Sequence, residues 1–309
     1  MTTEDITFVA SDDRITRRER QRQSDYREQV LGLPPGTSRS REPKVLGNYL
    51  PAEDRRHNFL SSEAAEYAAK RAEGVRREGG QLETTRLFTN MLSSMPLAFS
   101  VFGHLRAHRT AAVRLLNDLL GLDVAELVPV QVGPREIDGI ECEWAPHRRE
   151  HLDDRTAFDA VVSARLGDGR SLLVAVETKY VDSFSRDPQR ERTDAKYRAR
   201  CAHFGMAEGA YDRLREHATR QLLRNVLLTE SVRRGGSTGS PVFDVAVTVV
   251  LARDDDTSAR AAVEAVAADR GTMPSDVRFI GHGQLATAAE RDVDLADWAG
   301  RFRQRYVGG

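Results

Sequence analysis

Residues 156–180 read Thr-Ala-Phe-Asp-Ala-Val-Val-Ser-Ala-Arg-Leu-Gly-Asp-Gly-Arg-Ser-Leu-Leu-Val-Ala-Val-Glu-Thr-Lys-Tyr. Two β-rich runs flank Gly167-Asp168-Gly169, the pattern of a hairpin. A three-residue loop ending on a left-handed glycine suits Gly169. With that loop Leu166 faces Arg170, and counting outward places Asp159 directly opposite Glu177. Cross-strand partners have Cβ atoms ~4.5–5.5 Å apart. Side chains alternate along a strand, so Lys179 shares the face of Glu177. The hairpin therefore gathers two carboxylates and one amine on one face. A two-residue Asp-Gly loop would shift the register and separate them.

These charges lie at the end of a strand built for burial. Leu172 to Val176 is apolar on both faces, the mark of a strand covered on both sides. A carboxylate there is costly unless it is paired or holds a cation. Two nearby carboxylates suit a hard ion such as Mg²⁺, which takes one or two of them and keeps several waters. Such an ion lowers the pKa of a bound water and stabilises charge developing on a phosphate. Lys179 is placed to orient or deprotonate that water, or to neutralise the pentavalent phosphorus centre. A salt-bridged hairpin face without an ion would use the same residues.

An Asp on one strand followed by Glu-x-Lys on the next resembles the motif of the PD-(D/E)XK nuclease superfamily. Asp159 and Glu177-Thr178-Lys179 carry the likeness, with Phe158 where the motif has Pro. Glu42-Pro43-Lys44 also spells Glu-x-Lys, but it lies in a proline-bearing loop with no Asp strand before it. Asn58-Phe59-Leu60, the stretch from Asn90 to Phe99, and Glu143-Trp144-Ala145-Pro146 resemble a subfamily of bacterial candidate restriction endonucleases. The resemblance runs from about residue 45 to about 235. It implies a restriction-endonuclease-like α/β core with a central mixed β-sheet flanked by helices. It also implies hydrolysis of DNA phosphodiester bonds, with Asp159, Glu177 and the carbonyl of Thr178 holding Mg²⁺ or Mn²⁺ and Lys179 acting on the water. Gln221 matches the Gln that many members carry on the helix after the Lys strand; the Tyr usual four residues later is missing.

The chain has 309 residues, 40% hydrophobic and 30% charged, which reads as a soluble globular protein with a highly charged surface. A net charge of −1 leaves nucleic-acid binding to local basic patches. Cys142 and Cys201 are far apart, which supports neither a disulfide framework nor a Cys-rich zinc site and suits a reducing cytoplasm. The first thirty residues are thick with charge, unlike a signal peptide. The longest apolar run, Val245 to Ala252, is too short to span a bilayer.

Residues 1–60 read as an irregular arm with a basic cluster of Arg14, Arg17, Arg18, Arg20 and Arg22. Residues 61–309 read as the nuclease-like domain, ending in a C-terminal α/β extension. Ser61 or Ser62 can cap a helix through Arg77. A second helix is expected from Leu82 to Leu105, kinked or split at Pro96, and a third from Arg109 to Leu120. A strand over Ile137–Trp144 puts Glu141 and Glu143 on one face, with Glu143 a candidate further ion or water partner. His147-Arg148-Arg149-Glu150-His151 matches the pattern of inverted zinc peptidases. It sits in a short connection between strands rather than on a helix, and reads as a polar loop.

After the hairpin, residues 185–200 carry Arg186, Arg190, Arg192, Lys196, Arg198 and Arg200, which reads either as a surface loop or as a phosphate-binding arm. Gly209 to Arg234 reads as one long helix bearing Gln221 and Arg224, the latter a further candidate DNA contact. Val242–Ala252 is then a buried strand, parallel to the preceding one by the crossover rule. His282, between two glycines, reads as a turn residue. The function drawn is a Mg²⁺-dependent (or Mn²⁺-dependent) endonuclease acting on DNA, with a homodimer as candidate assembly. The rival is a non-catalytic nucleic-acid or protein binding module on the same fold.

Overall fold

The computed structural model describes residues 6–39, 42–182, 191–215 and 219–308. The chain starts with α1 (Arg14–Asp25), extended by one wide turn to Val30. A small antiparallel pair, β1 (Gly36–Thr37) and β2 (Val45–Leu46), follows. Then come α2 (Ser62–Arg77), α3 (Thr84–Phe88), α4 (Ser94–Ala98), α5 (His104–Ala107) and α6 (Arg109–Leu120). The Ser61 side chain accepts the Ala64 N–H to start α2, with Glu63 in its first turn and Arg76 and Arg77 in its last, each matching the helix dipole. Gly121, at φ +59°, ends α6.

The helix expected over 82–105 is broken. Glu83 caps α3, the chain leaves helical form around Asn90, and Ser93 caps a fresh start at Ser94. Pro96 therefore lies in the first turn of α4, where its missing N–H costs nothing, and does not kink a longer helix.

The stretch expected as an irregular arm contains α1 and a short β-pair, and several of its arginines are packed. Arg20 is buried on Asp12 and Asn48, Arg18 pairs with Asp255 at 2.7 Å, and buried Arg27 donates to the Gly47 carbonyl at 2.8 Å. Its charges are answered by partners distant in sequence, which composition alone does not reveal.

Strands β3 (Val124–Leu127), β4 (Pro129–Val132), β5 (Arg135–Asp138) and β6 (Ile140–Trp144) lead to the hairpin. The single strand expected over 137–144 is divided at Gly139, φ +70°. The hairpin is β7 (Phe158–Leu166) and β8 (Ser171–Thr178). Its register is the expected one, from Arg165 facing Ser171 to Ala160 facing Val176. The Leu166 N–H donates to the Arg170 carbonyl at 2.8 Å, and Gly169 takes φ +88°.

The following segment contains α7 (Glu191–Phe204), α8 (Ala210–Leu214) and α9 (Arg220–Arg233), so the long helix expected over 209–234 is two helices. β9 (Val245–Ala252) lies parallel to β8, as the crossover rule requires. After α10 (Thr257–Ala268), β10 (Asp276–Gly281) adds in parallel to β9, and α11 (His282–Glu290) and α12 (Ala296–Phe302) close the chain. His282 is not an exposed turn residue: it begins α11, fully buried among Tyr180, Phe302 and Tyr306.

The main sheet runs β10-β9-β8-β7, with β3 and β6 both pairing with β7. One apolar layer joins Val162, Val174, Val176 and Leu251 to α2, α6, α11 and α12. The other joins Val161, Leu173, Ala175 and Val250 to α7, α9 and α10. The central strands are thus covered on both faces, and the charged side chains of the hairpin's site lie where β7 and β8 end.

Gly169→Ala meets no neighbour within 4 Å but forces a side chain into the left-handed region. It should cost about 1–2 kcal/mol, read as a lower melting temperature. An unchanged melt would show that this turn does not hold the register.

Candidate active site

The site forms at the ends of β7 and β8, on the face covered by α9. Glu177 is 3% exposed and Lys179 5%, while Asp159 is partly buried. Lys179 Nζ stands 2.6 Å from Glu177 Oε1. Asp159 Oδ2 accepts both the Thr178 N–H at 2.7 Å and the Thr178 hydroxyl at 2.8 Å. Among the described residues its Oδ1 has no hydrogen bond, so one carboxylate oxygen is available. The hairpin register alone brings these groups together.

Helix α9 grips the site from above. Gln221 Nε2 donates to Glu177 Oε1 at 2.6 Å, and Gln221 Oε1 accepts from Lys179 Nζ at 3.2 Å. One turn on, Asn225 Nδ2 donates to Glu177 Oε2 at 2.6 Å. The sequence pointed to Gln221 but missed Asn225, although its i,i+4 spacing from Gln221 places both on one helix face.

Glu143 is the third acid. The β6–β7 ladder pairs Cys142 with Ala160 and Trp144 with Phe158, which sets Glu143 opposite Asp159 between them. Its φ is +48°, rare for a residue with a bulky side chain. Ile140 and Cys142 belong to one core layer and Trp144 to the other, so the strand changes face at this residue. Glu141, expected beside it, takes other partners: the Tyr67 hydroxyl at 2.7 Å and Arg106 at 2.9 Å.

Crowded acids in a poorly solvated place resist ionisation. Burial, then the charges of Asp159 and Glu177, push Glu143 up to about 8. Burial, then Glu177, push Asp159 up to about 7, against the pull of Lys179 and Thr178. Burial opposes the charge on Lys179, but Glu177 and Asp159 outweigh it and raise its pKa, so the amine is an ammonium at neutral pH. Hard oxygen donors that hold on to protons for want of positive charge form a donor set suited to a divalent cation.

The other expected contacts fare differently. Arg186 and Arg190 lie outside the described residues, and of Arg192 only its place in α7 is described. Lys196 Nζ donates to the Leu152 carbonyl at 2.5 Å, and Arg198 pairs with Asp212 at 2.6 Å while lying over Tyr211. Arg224 is partly buried on α9, and its charge reaches Tyr197. Arg86, not singled out from the sequence, is exposed on α3, pairs with Asp182 at 3.2 Å, and its charge acts on Glu143. The His147–His151 stretch is a short turn: His147 pairs with Glu150, and buried His151 contacts the Ser231 hydroxyl. Glu63, His104 and His108 bring donor atoms within 4.8 Å of one another, away from these strands, where Ser61 caps α2 and contacts His104 Nδ1 at 3.1 Å.

A sheet with acids and one lysine at adjoining strand ends, roofed by a Gln-bearing helix, defines a restriction-endonuclease-like core. A family model of the PD-(D/E)XK nuclease superfamily matches residues 10–308, and the chain belongs to that superfamily. No curated protein and no solved structure matches it. Among the described residues, no helix is long and apolar enough to cross a membrane.

The raised acids fix the sign of a pH effect. Asp159 and Glu143 bind protons more tightly folded than unfolded, so their contribution is full below the usual carboxylate range and is lost as pH rises through about 7 to 8. Without metal, the melting temperature should fall by roughly 5 °C or more between pH 6 and 9, at ~2–4 °C per kcal/mol. Glu143→Gln should flatten that slope, and Mn²⁺ should restore the melt at pH 9. A slope that Glu143→Gln leaves unchanged would contradict the assignment.

Proposed function

We propose that the chain is a metal-dependent endonuclease that hydrolyses DNA phosphodiester bonds, of restriction or defence type, working in the cytoplasm. The observation that carries this reading is the convergence of Asp159, Glu177 and Glu143 with a single buried ammonium at adjoining strand ends. Membership of a nuclease superfamily supports it.

Asp159, through its open oxygen, and Glu177 would hold Mg²⁺ or Mn²⁺, with the Thr178 carbonyl as a further ligand. When bound, that ion supplies an acidified water and charge stabilisation at phosphorus. Glu177 already accepts from Gln221, Asn225 and Lys179. These donors fix its direction: Oε1 takes two of them, and Oε2, with one, keeps a second lone pair to offer a cation. Gln221 touches both Glu177 and Lys179 and so keeps acid and amine in fixed relation. As an ammonium, Lys179 serves by electrostatic help to the phosphate and orientation of the water; a base role would first require it to lose a proton. Glu143 is the further acid positioned to take a proton or to add a ligand. Lys196, Arg198 and Arg86 all have internal partners, and the phosphate contact favoured beside the site is exposed Arg86, because its charge acts on Glu143.

Lys179→Ala should keep Mn²⁺ affinity or raise it slightly, because a nearby positive charge is removed. Plasmid cleavage should fall by ~10²–10⁴-fold. Asp159→Ala should lose both ion binding and cleavage. Calorimetry beside the cleavage assay reads both. A Lys179→Ala protein that cleaves like wild type, or wild type that binds DNA equally with and without Mg²⁺ and never cuts it, would overturn the reading in favour of a binding module.

A further inference from the structure

The left-handed strand residue at the site calls for a cause. A carboxylate-bearing residue with positive φ is strained by ~1–3 kcal/mol and persists only where its surroundings over-determine it. At Glu143 those surroundings are two side chains of α2. The Arg71 guanidinium donates through Nε to the Cys142 carbonyl at 2.7 Å and through Nη2 to the Glu143 carbonyl at 3.0 Å. Its remaining edge is fixed by Glu78, at 2.5 Å from Nη1 and 3.1 Å from Nη2. The Tyr67 hydroxyl accepts the Cys142 N–H at 2.8 Å and donates to Glu141 at 2.7 Å. Three consecutive residues of β6 are thus held from one helix, one turn apart on its face.

We propose that Arg71 and Tyr67 are positioning residues: they hold the Cys142–Glu143 backbone in its turned form and thereby place the Glu143 carboxylate opposite Asp159. The inference rests on the nuclease reading in taking Glu143 as the third acid of an ion site. Neither residue touches the other acids; each acts through the β6 backbone. Arg71 is 9% exposed, and its planar fork spans two successive carbonyls and a carboxylate at once, which a lysine amine on a flexible stem does not reproduce. An ordinary strand conformation at Glu143 would keep Trp144 in the layer of Cys142 and give the acid a different direction from the one it has here. The helix that packs the outer layer of the core therefore also sets the geometry of the site.

A double-mutant cycle in Mn²⁺ affinity, measured by calorimetry, tests this. Arg71→Lys and Glu143→Gln should each weaken Mn²⁺ binding by ~10-fold or more, the usual effect of removing an outer support of a metal ligand. The double variant should bind no more weakly than Glu143→Gln alone, because Arg71 acts only through that carboxylate. Tyr67→Phe, a milder change should Arg71→Lys fold poorly, should weaken binding in the same non-additive way. A structural role alone would lower the melting temperature and leave Mn²⁺ affinity where it was. Additive losses, or a folded Arg71→Lys or Tyr67→Phe protein with unchanged affinity, would overturn the proposal. Wild type that binds Mn²⁺ without cutting DNA defeats only the nuclease reading, since the cycle is still read in affinity; wild type that binds no Mn²⁺ defeats both.

Discussion

Everything at the site depends on giving Glu177 enough partners at the buried end of a central strand. Taking a carboxylate out of water is expensive, and pairing alone often fails to repay it. Here Glu177 receives an ammonium and two side-chain amides, all at 2.6 Å. Asp159, across the ladder, receives a backbone N–H and a hydroxyl from Thr178. The arrangement satisfies each acid singly but leaves the group with more carboxylates than cations, as the upward shifts of Asp159 and Glu143 record. A site tuned only for stability would neutralise that surplus; one tuned for a divalent ion keeps it.

Both ends of the chain brace the same strand. Tyr180 follows Lys179 directly and is fully buried. Its hydroxyl accepts from Gln23 at 2.7 Å and donates to Glu19 at 2.8 Å, both on α1. Buried Arg305, near the C-terminus, donates to Gln23 at 3.0 Å and to Asn58 at 2.7 and 2.9 Å. Tyr306 and His282 pack their rings against Tyr180. The residue after the lysine is thus anchored by α1, α11 and the C-terminal turn, which limits the freedom of the ammonium.

How much of this was legible follows from sequence distance. The hairpin register could be read because its determinants are local: alternation along two strands and a glycine able to take φ +88°. The parallel return to β9 could be read because a strand, helices and a buried strand have few ways to connect. The packing of α1 could not, since Tyr180 lies 157 residues from Gln23 and 161 from Glu19. A run of arginines gives no sign of partners so remote. The turned backbone at Glu143 was hidden for a related reason, because α2 imposes it from some seventy residues away. Asn225 was within reach of the sequence, one turn beyond Gln221, but an amide at that spacing acquires meaning only once Glu177 is seen beneath it.

If the hairpin register builds a divalent-cation site, the ion sits between Asp159 and Glu177. Anomalous diffraction from crystals grown with Mn²⁺ tests it most directly. A peak is expected beside Asp159 Oδ1 and Glu177, lost in crystals of Asp159→Ala and retained in Lys179→Ala. A peak only elsewhere, such as beside Glu63 and His108, or none next to Asp159 in well-ordered wild-type crystals, would contradict it.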